Sequence, residues 1–305
     1  MHTSKPRMAL LLRFCSIALV STTFMLGKLA AQSGIHLVEM LFWRQAIGAP
    51  ILIAGLAMTN RLALLHTHKF GGHIWRAILG LAAMALSFET PILLPLPVAT
   101  TLGFTAPLFA LLLGVAFFGQ RASRECAAAV LLGFLGVLIL VEPGRSALPL
   151  PGTVCGLAGA FMVALISYQL RDLARTEHPL SVVFWFSATS SPVLALALPF
   201  VMHGHTPIQW LLLASIGMLG VLAQFFMSAA LRYGAVTSII VMDYTALIWS
   251  VLFGWLIWHE PLSTSTWLGA PLIIAAGSIV VLAAHRAQWA ADRPNRSAEG
   301  DSAPV

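Results

Sequence analysis

The chain has 305 residues, of which 59% are hydrophobic and only 9% charged. A soluble domain carries about 45–50% apolar and about 25% charged residues, so this chain has too little charge to cover a water-facing surface; lipid is its solvent. The net charge of +6 is scattered between apolar runs and forms no basic patch, which argues against a nucleic-acid partner.

Lys5 and Arg7 precede the first apolar run. A cleaved leader has that charge pattern too, but this run is about twenty residues long and others like it follow, so it reads as a retained first span. Segments of about twenty apolar residues match a hydrocarbon layer of about 30 Å at about 1.5 Å rise per residue. Ten such segments are predicted, at 9–29, 37–57, 75–94, 98–118, 125–142, 152–171, 180–201, 209–230, 236–257 and 266–284. "TPILLPLPV" separates the third from the fourth with three prolines, a tight exit and re-entry. The polar segment 285–305 is expected to be a disordered cytoplasmic tail.

With residues 1–8 in the cytoplasm, thirteen Lys and Arg residues fall on the inner side and two, Lys28 and Arg145, on the outer side. That bias places both termini inside and requires an even number of spans. Localisation in a bacterial inner membrane is the expectation.

The chain repeats itself at an offset near 140 residues. "HLVEMLFWRQAIGAPIL" from His36 aligns with "HPLSVVFWFSATSSPVL" from His178, and "FTAPLFALLLGVAFFGQRAS" from Phe104 with "YTALIWSVLFGWLIWHEPLS" from Tyr244. The predicted fold is all-α, ten transmembrane helices in two inverted five-helix repeats, at 9–145 and 150–284. An odd number of spans per half turns the second half upside down, a device of secondary transporters. "GTVCG" from Gly152, and Gly217 with Gly220, offer small faces for helix packing.

Charge inside a span costs a few kcal/mol on insertion scales, so Arg44, Glu89 and Asp243 are candidate site residues. Arg44 and Glu89 lie roughly 12 and 8 Å from the outer face. They are expected either to form a static ion pair holding two helices together, or for Arg44 also to attract a substrate carboxylate or help gate the outer side. Asp243 lies roughly 12 Å from the inner face with no basic partner in its own helix. Its expected roles are a neutral carboxyl bonded to Tyr244, Tyr168 or Gln169, or a group that exchanges a proton or binds an ammonium. Tyr168, Tyr244, Gln169 and Gln224 are the expected hydrogen-bonding side chains for a substrate. Trp43 and Trp249 read as packing aromatics, and Lys28 and Glu39 as interfacial residues. The loop histidines His66, His68, His73, His203 and His205 read as solvated. No Walker, HExxH, GxSxG or dinucleotide motif occurs, and Cys15, Cys126 and Cys155 have no metal-ligand spacing. No cofactor or metal and no enzyme activity are expected.

The stretches "FWRQAIGAPIL", "LPVATTLGFTAPLFALLLGVAFFGQRAS" and "ALRYGAVTSIIVMDYTALIWSVLFGWLIWHEPLS" resemble the EamA-type drug/metabolite transporters over roughly residues 9–284. The first repeat departs from the family pattern with Gln120, where an acidic residue is common, and with Leu96-Pro97-Val98. The resemblance implies a central cavity and, as substrates, amino acids, nucleosides, vitamins or metallophores. The expected function is secondary transport of a small organic metabolite by alternating access, with export favoured. Protons or a counter-transported solute would supply the energy, and the unit is a monomer or homodimer. The rival readings are an intramembrane enzyme acting on a lipid-linked substrate and a non-catalytic membrane scaffold.

Overall fold

The computed structural model describes residues 6–67, 69–119, 124–141, 148–173, 176–233 and 242–300. Gln120, Arg145 and the first residues of the expected ninth span, 236–241, lie outside them.

Each apolar segment has become a helix. They are α1 (Pro6–Gln32), α2 (Leu37–Met58), α3 (Phe70–Leu93), α4 (Leu96–Gly103), α5 (Ala106–Phe118), α6 (Arg124–Val141), α7 (Leu150–Leu173), α8 (Pro179–Val201), α9 (Pro207–Tyr233), α10 (Ala246–Trp258) and α11 (Thr264–Gly300). Among the described residues nine segments are long and apolar enough to cross a membrane, and Met242–Trp258 is a shorter tenth. α4 and α5 together form the fourth span. Leu94 and Pro95 alone separate it from the third, as the prolines predict. The end of the bundle bearing Pro6 is called the near face below, and the opposite end the far face. The exteriors carry bare Leu11, Phe117, Leu131, Leu196 and Phe200, an arrangement stable only against hydrocarbon. At the C-terminus the helix runs on to Gly300, where a disordered tail is expected; the Ala, Gln and Arg that follow Ala284 are good helix formers.

The internal repeat is visible in backbone detail. His36 and His178 both cap helices, with φ/ψ of −72°/144° and −70°/141°. Each ring Nδ1 accepts from the N–H two residues on, Val38 or Leu180, at 3.2 Å. Thr105 and Thr245 precede two helices of 13 residues each. Their hydroxyls donate to the carbonyls three residues back, Leu102 and Met242, at 2.7 Å. Both helices end on a left-handed residue, Gly119 at φ 60° and His259 at φ 51°. Glycine adopts that geometry at little cost; His259 does so with its N–H held by the Gly254 and Trp255 carbonyls.

Packing repeats in the same way. α1 lies on α9 and α7 lies on α3; α2 lies on α9 and α8 lies on α3; α2 meets α8, and α6 meets α11. Exchanging the two halves maps this pattern onto itself, and most of the partnerships run between halves. Close approach needs small residues: a Cβ on Gly136 of α6 would sit 3.0 Å from the Gly269 carbonyl of α11.

Candidate functional site

At the far face the halves are tied by a buried charge. Lys28 near the end of α1 donates to Glu260 just beyond α10 at 2.7 Å and to the Leu94 carbonyl at 3.1 Å. The second oxygen of Glu260 accepts from the Leu96 N–H at 3.3 Å. The Lys28 ammonium also sits 4.9 Å from the centre of the Trp258 ring, whose indole N–H donates to Gln32. Lys28 is therefore not interfacial. It is 6% exposed, and it satisfies the carbonyl freed where α3 stops before Pro95. An apolar recess lined by Pro95, Pro97, Val98 and Leu148 lies beside Glu260.

Two of the loop histidines are not solvated. His205, before α9, lies 2.5 Å from Glu39 at the start of α2, and both side chains are nearly inaccessible. His73, in the first turn of α3, lies 3.6 Å from Glu177 just before α8, and both are again buried. α3 begins at Phe70, before the hydropathy onset, which draws His73 into the bundle. The two pairs are counterparts: one joins the starts of α9 and α2 at the far face, the other the starts of α3 and α8 at the near face.

Asp243 lies in a 3-10 turn, Met242–Thr245, that leads into α10. Its partner is none of the expected residues but Arg13 of α1, whose Nε donates at 2.6 Å and whose terminal nitrogen lies 2.5 Å away. The pair is only partly enclosed, with side-chain exposures of 13% for Arg13 and 38% for Asp243.

Arg44 and Glu89 do not pair. Arg44 Nη1 donates to the Met84 sulfur at 2.6 Å, and its guanidinium lies 5.5 Å from the centre of the Phe88 ring. Gly220 of α9 leaves room for it; a Cβ there would be 3.1 Å from Arg44 Nε. That Nε is buried with no hydrogen-bond partner. Glu89 follows Phe88 by one residue, about 100° round the helix, and so lies off the face that Arg44 meets.

The other expected site residues are dispersed. The Tyr168 hydroxyl donates to the Ala110 carbonyl at 2.7 Å, joining α7 to α5. The Gln169 amide donates to the Gly72 carbonyl at 3.2 Å, joining α7 to α3. Tyr244 packs edge-on to Phe104 and approaches Gly277 and Ser278 of α11. Gln224 is exposed on α9. Trp43 and Trp249 do pack with aromatic neighbours, but each keeps a buried indole N–H without a partner. Arg76, one of the thirteen inner-side cations although it falls within the expected span 75–94, lies inside α3; its guanidinium is 4.4 Å from the centre of the Phe186 ring. No group of three or more His, Cys, Asp or Glu that could hold a metal occurs among the described residues.

Comparison with known proteins gives the context. The model of the EamA-like transporter family matches residues 7–142 and 150–282. A pseudopaline exporter of Pseudomonas aeruginosa is 28% identical, aligned over 81% of this chain and 86% of its own. A riboflavin transporter of Brucella anthropi is also 28% identical, over 80% of this chain and 88% of its own. One from Vibrio cholerae is 25% identical, over 87% of each. A crystal structure superimposes with a TM-score of 0.62 at 23% identity, covering 92% of this chain and all of that one; it bears on the fold alone.

Proposed function

Because the chain belongs to the EamA-like transporter family, we propose that it is a secondary transporter that exports a small organic metabolite across the bacterial inner membrane by alternating access, with both termini in the cytoplasm. The observation that carries this reading is the exchange of packing partners between halves, α1 on α9 matched by α7 on α3. Two halves that hold each other in the same way can rock about their contact and open first one end, then the other. The Lys28–Glu260 tie then closes the far, outer end.

Between the ends, Arg44 supplies a charge that the protein leaves unpaired, and Trp43 and Trp249 supply free N–H donors. These are the substrate contacts in this reading. Arg13–Asp243, partly open and joining the two halves, is the pair that a proton or a substrate ammonium would compete for. Tyr168, Gln169 and Tyr244 tie neighbouring helices together, and Glu89 and Gln224 have no assigned contact. The names of the relatives, a pseudopaline exporter and riboflavin transporters, support a metabolite with several polar groups as the cargo.

The test is a comparison of metabolites inside cells and in their medium, with and without the protein, followed by flux measurements in proteoliposomes. The expected result is one metabolite class enriched in the medium only when the protein is present. Identical profiles in both compartments, with no flux in liposomes, would overturn the proposal.

A further inference from the structure

α3 carries Arg76, Gly80, Met84 and Phe88 at four-residue spacing, which places them along one face of the helix. Two guanidinium groups lie on that face. Arg44 reaches it from α2, against Met84 and Phe88. Arg76 bends forward along its own helix until its Nη1 lies where a Cβ on Gly80 would be, with Phe186 of α8 beside it.

That direction is informative. A basic side chain one or two turns from a helix end lowers its cost by snorkelling outwards to water. Arg76 does the reverse, running away from the near face and deeper into the bundle. Only a glycine at position 80 admits it.

Neither cation is neutralised. Among the described residues no carboxylate lies within 4 Å of either; the ion pairs there belong to Arg13, Lys28, Lys69, His73 and His205. Arg44 Nε and Arg76 Nε and Nη1 are buried without hydrogen-bond partners. Ring faces offer some compensation, but they do not replace the hydrogen-bonding partners that a buried cation needs. The unpartnered nitrogens are donors, so the missing partner is an acceptor.

We infer that this face of α3 is a binding lane for an organic carboxylate anion, with Arg44 and Arg76 as its two anchoring forks. The guanidinium group is planar and matches a carboxylate with two parallel N–H bonds. Gly80, beside Arg76, and Phe88, beneath Arg44, are two turns apart, about 12 Å along the axis. A diacid with a short carbon chain spans such a separation, and a monoacid would pass from one fork to the other. The inference deepens the transport reading by giving the cargo a charge, and it rests on that reading for its physiological meaning.

The purified full chain is tested in detergent with glutarate and adipate as probes, against glutaramide as the neutral isostere and cadaverine as the cation. The diacids are expected to raise the melting temperature of the wild type by about 3 °C or more at saturation. Glutaramide and cadaverine should do nothing, and Arg44→Gln and Arg76→Gln should each abolish the shift. Arg44→Lys and Arg76→Lys keep the charge and control for folding; they should retain part of it. No shift with any diacid, an equal shift with glutaramide, or full shifts in both Gln variants would overturn the inference. In the flux assay each Gln variant should move the cargo at least 10-fold more slowly. A transported cargo with no acidic group would sink this inference and leave transport standing. Arginine-dependent diacid binding without any flux would do the opposite.

Discussion

Arg13 and Asp243 stand 230 positions apart in the chain and 2.6 Å apart in space. One comes from the first helix and the other from the turn before α10, so the bond joins the two halves. Removing either partner leaves the other charge in a mostly apolar setting, but the pair is part-exposed and the loss is moderate, about 1–2 kcal/mol. Arg13→Gln and Asp243→Asn should each lower thermal stability, while the double variant should fall well short of the sum. Additive losses in a double-mutant cycle would mean that the pair contributes nothing as a pair.

The far-face tie makes a prediction about access. Val98 is 5% exposed and lines the recess beside Glu260. In a background with Cys15, Cys126 and Cys155 replaced, Val98→Cys should resist a membrane-impermeant maleimide added outside the cell. Adding Lys28→Gln or Glu260→Gln should raise its labelling rate several-fold, because breaking a buried pair costs about 3 kcal/mol. Unchanged labelling would show that the tie does not hold that end closed.

Glu39 and Glu177 each face a buried histidine. Glu39→Ala should destabilise the protein by about 1–3 kcal/mol by leaving His205 without its partner. Glu39→Gln, which keeps an acceptor for His205 Nε2, should recover part of that loss. Unfolding monitored by intrinsic tryptophan fluorescence gives the comparison, and equal losses for Ala and Gln would speak against a hydrogen bond.

Gly136 and Gly269 bring α6 and α11 together. Gly136→Leu should prise the two helices apart and cost about 1–3 kcal/mol or more. The expected observation is a lower yield of monodisperse protein in detergent, while substitution of lipid-facing Leu131 by Ala should leave the yield unchanged.

The proposed topology of ten spans requires both ends of the polypeptide to lie on one side. Reporter fusions active only in the cytoplasm should work at either terminus. A fusion to the loop 202–206 between α8 and α9 should behave in the opposite way.

The spans were legible because lipid imposes a simple length and composition rule, and the repeat was legible because its two copies still share cap and turn residues such as His36/His178 and Thr105/Thr245. Relative level along the bundle was legible as well, since Arg44 meets α3 at Phe88, next to Glu89. Arg44 and Glu89 were placed at similar levels by counting residues, but level says nothing about rotation round the helix, and Glu89 turns out one residue off the face that Arg44 meets. Partners across the halves were not legible: nothing local to Asp243 names Arg13, and nothing local to Lys28 names Glu260. His73 was misplaced because a hydropathy window starts where apolar residues begin, whereas α3 starts five residues before the expected span, at Phe70. Arg76 was counted with the inner-side cations because it stands one residue inside the expected span 75–94, and so was not weighed as a buried charge. The signal that would have found it is Gly80, one turn on, small enough to let a long side chain lie flat.

The far-face tie also bears on how the molecule is made. Lys28 enters the bilayer with the first helix, yet Glu260 is translated 232 residues later. Arg13 likewise waits for Asp243. While the ribosome is still working through the second half, the spans of the first half hold cations with nothing to answer them, so they must stay beside the insertion machinery or near water until the last helices arrive. Cutting the gene between the halves and supplying the two pieces from separate messages would stretch that waiting period, and the piece left alone should be the one that quality-control proteases remove first.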